Sequence, residues 1–124
     1  MININYRDSR PIYEQIKDGL KRLIMAGGIK KDEKLPSVRD MAAQMSINPN
    51  TIQRAYRELE EEGFTYSVSG KGSFVSDVSE LHQKMKEDFL EKLKESISEL
   101  IELGVAEEEI QCYVNTVLFP INRI

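Results

Sequence analysis

The chain counts 124 residues, 40% of them apolar and 31% charged, which makes one sizeable core with a little left over and excludes a disordered polymer. Seventeen Lys+Arg stand against 21 Asp+Glu, a net charge of −4, and that total alone argues against a partner as acidic as nucleic acid. A lone cysteine, Cys112, and a lone histidine, His82, exclude an internal disulfide and a Cys/His zinc site, and set the expectation of a reducing cytoplasm.

In chain order, Ile2, Ile4 and Tyr6 alternate with Asn3 and Asn5, a period of two that predicts a short strand. Pro11 stands at a first helical turn, where its missing N–H costs nothing. Ile12, Ile16, Leu20, Leu23 and Ile24 follow at helical spacing until Gly27-Gly28 stops them. Pro36 keeps residue 35 extended, so Lys34-Leu35 is expected as a very short strand. Ser37 caps a second helix, with Asp40 standing where a capping box has Glu; Val38, Met41, Ala42 and Met45 form its buried stripe. Asn48 caps a third helix and Pro49 takes its first position. Ile52, Ala55, Tyr56 and Leu59 form its inward face, and Gly63 ends it. Phe64, Tyr66 and Val68 then alternate, Ser69-Gly70-Lys71-Gly72 turns, and residues 73–75 return as the second arm of a β-hairpin. The connection at residues 46–48 is as short as a helix-turn-helix requires. The predicted fold is mainly α with a small β-hairpin, a winged helix-turn-helix over residues 1–76.

From Glu80 the pattern changes. Leu81, Met85, Phe89, Leu93, Ile97 and Ile101 recur every four residues, and Leu90, Leu93, Ile97 and Leu100 fit an a/d seam. Gly104 breaks this helix. Ile110, Val114, Val117, Leu118 and Ile121 mark a last one, stopped by Pro120. Two apolar helices cannot bury both faces alone: they fold back on the first helix or pair with a second copy, and the breadth of the apolar face favours pairing. Residues 77–124 therefore read as a short two-helix dimerisation region, with Phe89, Leu90, Leu93, Ile97, Leu100, Ile101, Val114, Val117 and Leu118 as its contact residues. The last helix has Ala106 where Ser or Thr would cap it, and Glu107, Glu108 and Glu109 compensate through the helix dipole.

The chemistry gathers on the third helix. At 100° per residue, Asn50, Gln53, Arg54 and Arg57 point away from its apolar face. Arg suits guanine O6/N7, and Asn and Gln suit adenine N6/N7. These residues lie toward the N-terminal end, which a recognition helix sends into the major groove. Residues 41–57 hold no acid, whereas Glu58, Glu60, Glu61 and Glu62 gather at the far end. An ordinary solvated face would mix charge signs along its length, so DNA readout is the better account. Arg39 either pairs weakly at the surface with Asp40 or Glu33 or contacts phosphate or base. Ser37 is a cap alone or also a phosphate ligand at the helix N-terminus. Gly70-Lys71-Gly72 forms a wing tip whose backbone can approach a ligand closely, with Lys71 meeting the DNA backbone or minor groove. The net acidity is uneven: residues 1–79 carry 12 Lys+Arg and 11 Asp+Glu, residues 80–124 carry 5 and 10.

These stretches together resemble one family. Pro11-Ile12-Tyr13-Glu14-Gln15-Ile16, Leu35-Pro36-Ser37-Val38-Arg39-Asp40-Met41-Ala42 and Asn48-Pro49-Asn50-Thr51-Ile52-Gln53-Arg54-Ala55-Tyr56 carry the likeness. Leu59-Glu60-Glu61-Glu62-Gly63 and Gly70-Lys71-Gly72-Ser73-Phe74-Val75 complete it. Residues 11–76 resemble the DNA-binding domain of the GntR family of bacterial transcription regulators, and the short tail resembles its YtrA-like branch. The resemblance implies a cytoplasmic homodimer that binds double-stranded operator DNA at an inverted repeat, acts as a repressor and needs no cofactor. It implies DNA contact at the positions matching the family's, Arg39, Asn50, Thr51, Gln53, Arg54 and Gly70. The expected contact set is Ser37, Arg39, Asn48, Asn50, Thr51, Gln53, Arg54, Arg57, Gly70 and Lys71. Pro49 departs from branches that carry a base-contacting arginine there, so their base preference does not transfer.

Other functions fit less well. Most GntR-like regulators carry a large effector-binding domain, but residues 80–124 supply two helices and few walls for a pocket; no effector is assigned. His82 and Cys112 read better as a surface histidine and a half-buried thiol than as metal ligands. The longest uncharged runs, residues 41–53 and 110–122, fall short of the roughly 18 apolar residues of a membrane helix. Residues 1–5 lack the basic-then-apolar order of a secretory signal. No nucleophile–base pair or paired carboxylates suggest an enzyme. The alternative is a winged-helix module that binds protein and ignores DNA; it would present apolar residues where Asn50, Gln53 and Arg54 stand.

Overall fold

The computed structural model describes residues 2–120. Its elements run α1 (Ile12–Met25), α2 (Val38–Met45), α3 (Pro49–Glu61), β1 (Thr65–Val68), β2 (Gly72–Val75), α4 (Ser79–Glu102) and α5 (Glu107–Leu118). The chain divides into two compact units, Met1–His82 and Gln83–Ile124.

The first unit is a winged helix-turn-helix. Ile16, Leu20 and Ile24 of α1 meet Met41 and Ala42 of α2 and Ile52, Ala55, Tyr56 and Leu59 of α3 in one core, closed by Leu35, Phe64 and Val75. These are the inward stripes that helical spacing predicts. Full burial of a side chain such as Ile16, Ile52 or Leu59 is worth about 1.5–3 kcal/mol. The core also draws in Val78 and Leu81, a few residues beyond position 76.

Helix ends follow from local chemistry. The Ser37 hydroxyl accepts from the Asp40 N–H at 3.0 Å, the first bond of a capping box; aspartate is one carbon shorter than glutamate, and the return bond does not form. The Asn48 side chain accepts from the Asn50 N–H at 2.8 Å, with Pro49 at the first helical position. At the other end of α3, Gly63 takes φ 88°, and the Phe64 N–H donates to the Leu59 carbonyl at 2.9 Å. This is the closing bond of a Schellman motif, and its left-handed position favours glycine.

β1 and β2 pair antiparallel, with Thr65 opposite Val75 and Val68 opposite Gly72. Lys34 bridges to Phe74, and the Leu35 N–H donates to the Ser73 carbonyl at 2.9 Å. The expected Lys34-Leu35 strand is thus a single bridge on the β2 edge.

Two expectations need correction. Cys112, expected as a half-buried thiol, is exposed. No strand forms at residues 2–6. The segment pairs with neither strand of the hairpin; instead, the Asn5 N–H donates to the Gln15 side-chain oxygen at 2.8 Å and the Gln15 amide donates back to the Asn5 carbonyl at 3.0 Å. Ile2 and Ile4 pack against the core from an irregular segment. The hairpin forms as expected, but its alternating residues Phe64, Tyr66 and Val68 differ in burial. Phe64 precedes β1 and is buried with Thr65, whereas Tyr66 and Val68 are exposed. The buried register is set by Thr65 opposite Val75, and Tyr66 stacks on its outer neighbour Phe74 at 5.7 Å.

In the second unit, α4 ends at Gly104, where the Val105 N–H donates to the Leu100 carbonyl at 3.0 Å. α5 starts after Ala106, which is extended and makes no side-chain cap bond. Ile97 and Val114 are half-buried. Phe89, Leu90, Leu93, Leu100, Ile101, Val117 and Leu118 are exposed. Ile121, expected on the last helix, lies outside the described residues. Among the described residues, no helix is long and apolar enough to cross a membrane.

Candidate nucleic-acid interface

α3 presents its two faces as its sequence divides them. Ile52, Ala55 and Leu59 are fully buried; Asn50, Gln53, Arg54 and Arg57 are exposed, and Thr51 is half-buried beside them. The buried face fixes the helix against α1 and α2, so the polar face is held as a rigid surface. Tyr56 adds a polar anchor. Its hydroxyl donates to the Pro36 carbonyl at 2.7 Å, and burial pushes its pKa up to about 12, so it remains a donor at any physiological pH. Pro36 directly precedes the cap of α2. This bond therefore ties α3 to the turn that carries Ser37 and Arg39. Sequence reading counted Tyr56 only as core; the signal was there, since a buried tyrosine hydroxyl needs a partner.

Arg39 is exposed and pairs with neither Asp40 nor Glu33. Glu33 instead accepts from the Lys30 backbone N–H at 3.1 Å. Among the described residues, Arg39, Arg57 and Lys71 stand outside the ion pairs formed. The Ser37 oxygen accepts the cap bond, and a hydroxyl that accepts still has its proton to donate. Asn48 likewise spends its side-chain oxygen on the cap and keeps its amide N–H groups. At the wing, Gly70 has φ 75° and the Lys71 N–H donates to the Val68 carbonyl at 2.9 Å. That is the third position of a type II turn, where glycine is favoured, and it puts Lys71 on the hairpin tip.

Arg54 differs from the other cations. Its guanidinium lies 3.8 Å from the centroid of the Tyr13 ring, and its Nε donates to Glu58 Oε2 at 3.2 Å. Glu58 Oε1 accepts from Lys17 Nζ at 2.9 Å, and Lys17 also reaches Glu62 at 2.9 Å. Lys21 holds the other Glu62 oxygen at 2.8 Å. Glu60 accepts from the Ser67 hydroxyl of β1. Three of the acids at the far end of α3 are thus engaged by α1 and the hairpin. The hydrogen bond to Lys17 lowers the Glu58 carboxyl below its usual range, helped by Arg54. Burial raises the Glu62 carboxyl, but Lys21 and Lys17 pull it down overall. Lys17 is raised by Glu62 and then Glu58. Sequence reading missed Tyr13, Lys17 and Lys21. A usable signal was the matched spacing of Lys17 and Lys21 on α1 with Glu58 and Glu62 on α3, both four apart.

Residues 12–75 match the model of the bacterial regulatory proteins of the gntR family. The chain belongs to this family. The HTH-type transcriptional repressor YtrA of Bacillus subtilis (strain 168) is 41% identical to it over 101 residues, which are 82% of this chain and 76% of that relative. A transcriptional regulator from Oenococcus oeni superposes on it with a TM-score of 0.71 at 34% identity, over 95% of this chain and 99% of the other. The DNA-binding domain of AraR in complex with operator ORR3 superposes with a TM-score of 0.53 at 31% identity, over 60% of this chain and 89% of the other. This GntR chain is accordingly a regulatory protein, not an enzyme.

Proposed function

We propose that this GntR protein represses transcription by gripping an inverted-repeat operator as a homodimer in the cytoplasm, where that DNA lies. Residues 1–76 serve as the DNA-binding domain and residues 77–124 as the dimerisation region. The observation that carries the reading is the outward face of α3: Asn50, Gln53, Arg54 and Arg57 stand exposed above a fully buried stripe. It is supported by unpaired Arg39 on α2 and Lys71 on the wing. The relatives point the same way, one being named a repressor and another solved on its operator. Pairing through α4 and α5 is supported by their exposed apolar residues, Phe89, Leu93, Ile101 and Val117 among them. No effector is assigned. A protein-binding module would show apolar side chains on the outward face of α3, where amide and guanidinium groups stand.

The test is a gel shift on the protein's own promoter across a salt series. Arg39, Arg57 and Lys71 from two subunits make about six phosphate contacts, so log K should fall with log salt at a slope of about −5. An affinity indifferent to salt, or no shifted band, overturns the reading.

A further inference from the structure

Arg54 sits where a base-reading arginine should, yet it is tethered at two points. The Tyr13 ring lies under its guanidinium at 3.8 Å, and Glu58 takes its Nε–H at 3.2 Å. A strut that served only to join α1 to α3 would spend its donors. Among the described residues Arg54 spends one: Nε is engaged, the four N–H groups on its two terminal nitrogens are not, and its side chain remains 52% exposed. Those four include the parallel pair that meets guanine O6 and N7.

We infer that Tyr13 and Glu58 are positioning residues for base readout: together they lock the Arg54 guanidinium in one plane with its free edge toward the major groove. This rests on the proposed reading of α3 as the recognition helix. Glu58 can hold that place because it is itself held. Its second oxygen is bound by Lys17 at 2.9 Å, and Lys17 is braced by Glu62 at 2.9 Å, which Lys21 holds at 2.8 Å. The chain of contacts thus runs from the surface of α1 to the reading edge of α3. An arginine side chain free in solution samples many rotamers, and ordering it at the moment of binding weakens the contact. An arginine already stacked and bonded loses less, and it cannot swing to a neighbouring base. Tyr13 and Glu58 touch no DNA in this scheme. They act on specificity through Arg54 and leave the phosphate contacts alone.

The duplex that the wild-type protein recovers from random-sequence DNA, and its single-base variants, provide the test. Affinities are measured for wild type, Arg54→Ala, Tyr13→Leu, Tyr13→Phe, Glu58→Ala and the double variant Arg54→Ala/Glu58→Ala, with melting curves for each. Arg54→Ala should flatten discrimination at particular base pairs by about tenfold. Tyr13→Leu and Glu58→Ala should flatten the same base pairs by a smaller factor, with an unchanged salt slope. Tyr13→Phe, which keeps the ring, should read like wild type. Glu58→Ala should change nothing further in the Arg54→Ala background, the signature of action through one residue. If Tyr13→Leu does not fold, Glu58→Ala, at the edge of the core, decides alone. Loss of discrimination by Glu58→Ala that persists without Arg54 overturns the inference. So does full discrimination in Glu58→Ala while Arg54→Ala loses it. An Arg54→Ala protein with unaltered base preference instead removes Arg54 as a reader. A wild type with no preferred sequence removes the DNA reading itself.

Discussion

Arg54 is held at its ring-facing plane and its Nε, whereas Lys71 stands unpaired on a three-residue turn. The two should therefore fail differently. A fixed guanidinium can select a base edge; an exposed ammonium on a hairpin tip meets phosphate as a point charge. Arg54→Ala is expected to reduce discrimination between operator and non-operator duplexes. Lys71→Ala is expected to weaken both alike and to make the salt slope shallower by about 1 per subunit. Titrations of both variants on both duplexes separate these outcomes, and indistinguishable effects would undo the two roles. Tyr56 makes a third case, because its hydroxyl links the buried face of α3 to the residue before the α2 cap. Tyr56→Phe keeps the ring and strands the Pro36 carbonyl. The expected loss is about 1–2 kcal/mol of stability, a fall of several degrees in Tm for a domain of this size. Operator affinity should fall with it, since Arg39 is no longer held in register with α3. A Tm equal to wild type would show that the carbonyl finds another partner.

At the scale of elements, α1 and α3 are joined by the Lys17, Lys21, Glu58 and Glu62 network, and its pH response follows from the shifts. Glu58 and Glu62 are lowered from 4.5 in the folded chain, so their contribution is complete above that value and is lost as pH falls through the depressed folded range. Lys17 is raised from 10.5, so its contribution is complete below that value and is lost as pH rises beyond it. Melting followed against pH should show a plateau between about pH 5 and 10, and Lys17→Met should reduce the acid-side slope; a slope unchanged by that variant would exclude the network as its source. α5 offers a gain instead. Ala106 has the extended backbone of a cap, φ −67° and ψ 147°, without a side chain to accept. Ala106→Ser should stabilise the second unit by about 0.5–1 kcal/mol, and an unchanged or lower melting temperature would show that Glu107, Glu108 and Glu109 already saturate that end. These elements also show what was legible in the sequence. The helices of the first unit, the side-chain caps of α2 and α3 and the inward stripes could be read, because i to i+4 spacing and cap chemistry are local. The polar face of α3 was legible for the same reason. The residues 2–6 could not be placed, because alternation predicts a strand only where an edge waits for it, and Gln15 captures Asn5 instead. The hairpin itself was legible from alternation and its glycine turn; which face it buries was not, because the chain turns sharply at Gly63 and buries Phe64 and Thr65 in succession. The tethering of Arg54 was hidden because it depends on Tyr13 and Lys17, brought to α3 across some forty residues by the packing of α1.

For the whole molecule, the question is how a chain with a net charge of −4 holds DNA. The acidity resides in residues 80–124, with 10 Asp+Glu against 5 Lys+Arg, and residues 1–79 are close to neutral. Bulk attraction is therefore small, and one subunit reading one half-site should bind weakly. On the proposed reading, tight binding therefore requires both half-sites to be held at once by a pair of subunits, through phosphate and base contacts together. A second half-site engaged by the same dimer is met at a high effective concentration, which raises affinity by about 10²–10⁴ without new contacts. The exposed apolar residues of α4 supply the place to break that linkage. Phe89 and Leu93 are 60% and 51% exposed, so a carboxylate at either site disturbs no core of the first unit. Phe89→Glu with Leu93→Glu should give a monomer by sedimentation, leave the melting of the winged helix-turn-helix near wild type, and lower affinity for the full inverted repeat by at least 10². Affinity for an isolated half-site should stay where it was. If the doubly substituted protein still sediments as a dimer, those positions lie outside the interface. If it is a monomer that binds the full repeat as tightly as wild type, the two half-sites are not read by one dimer, and the proposed mode of operator recognition falls.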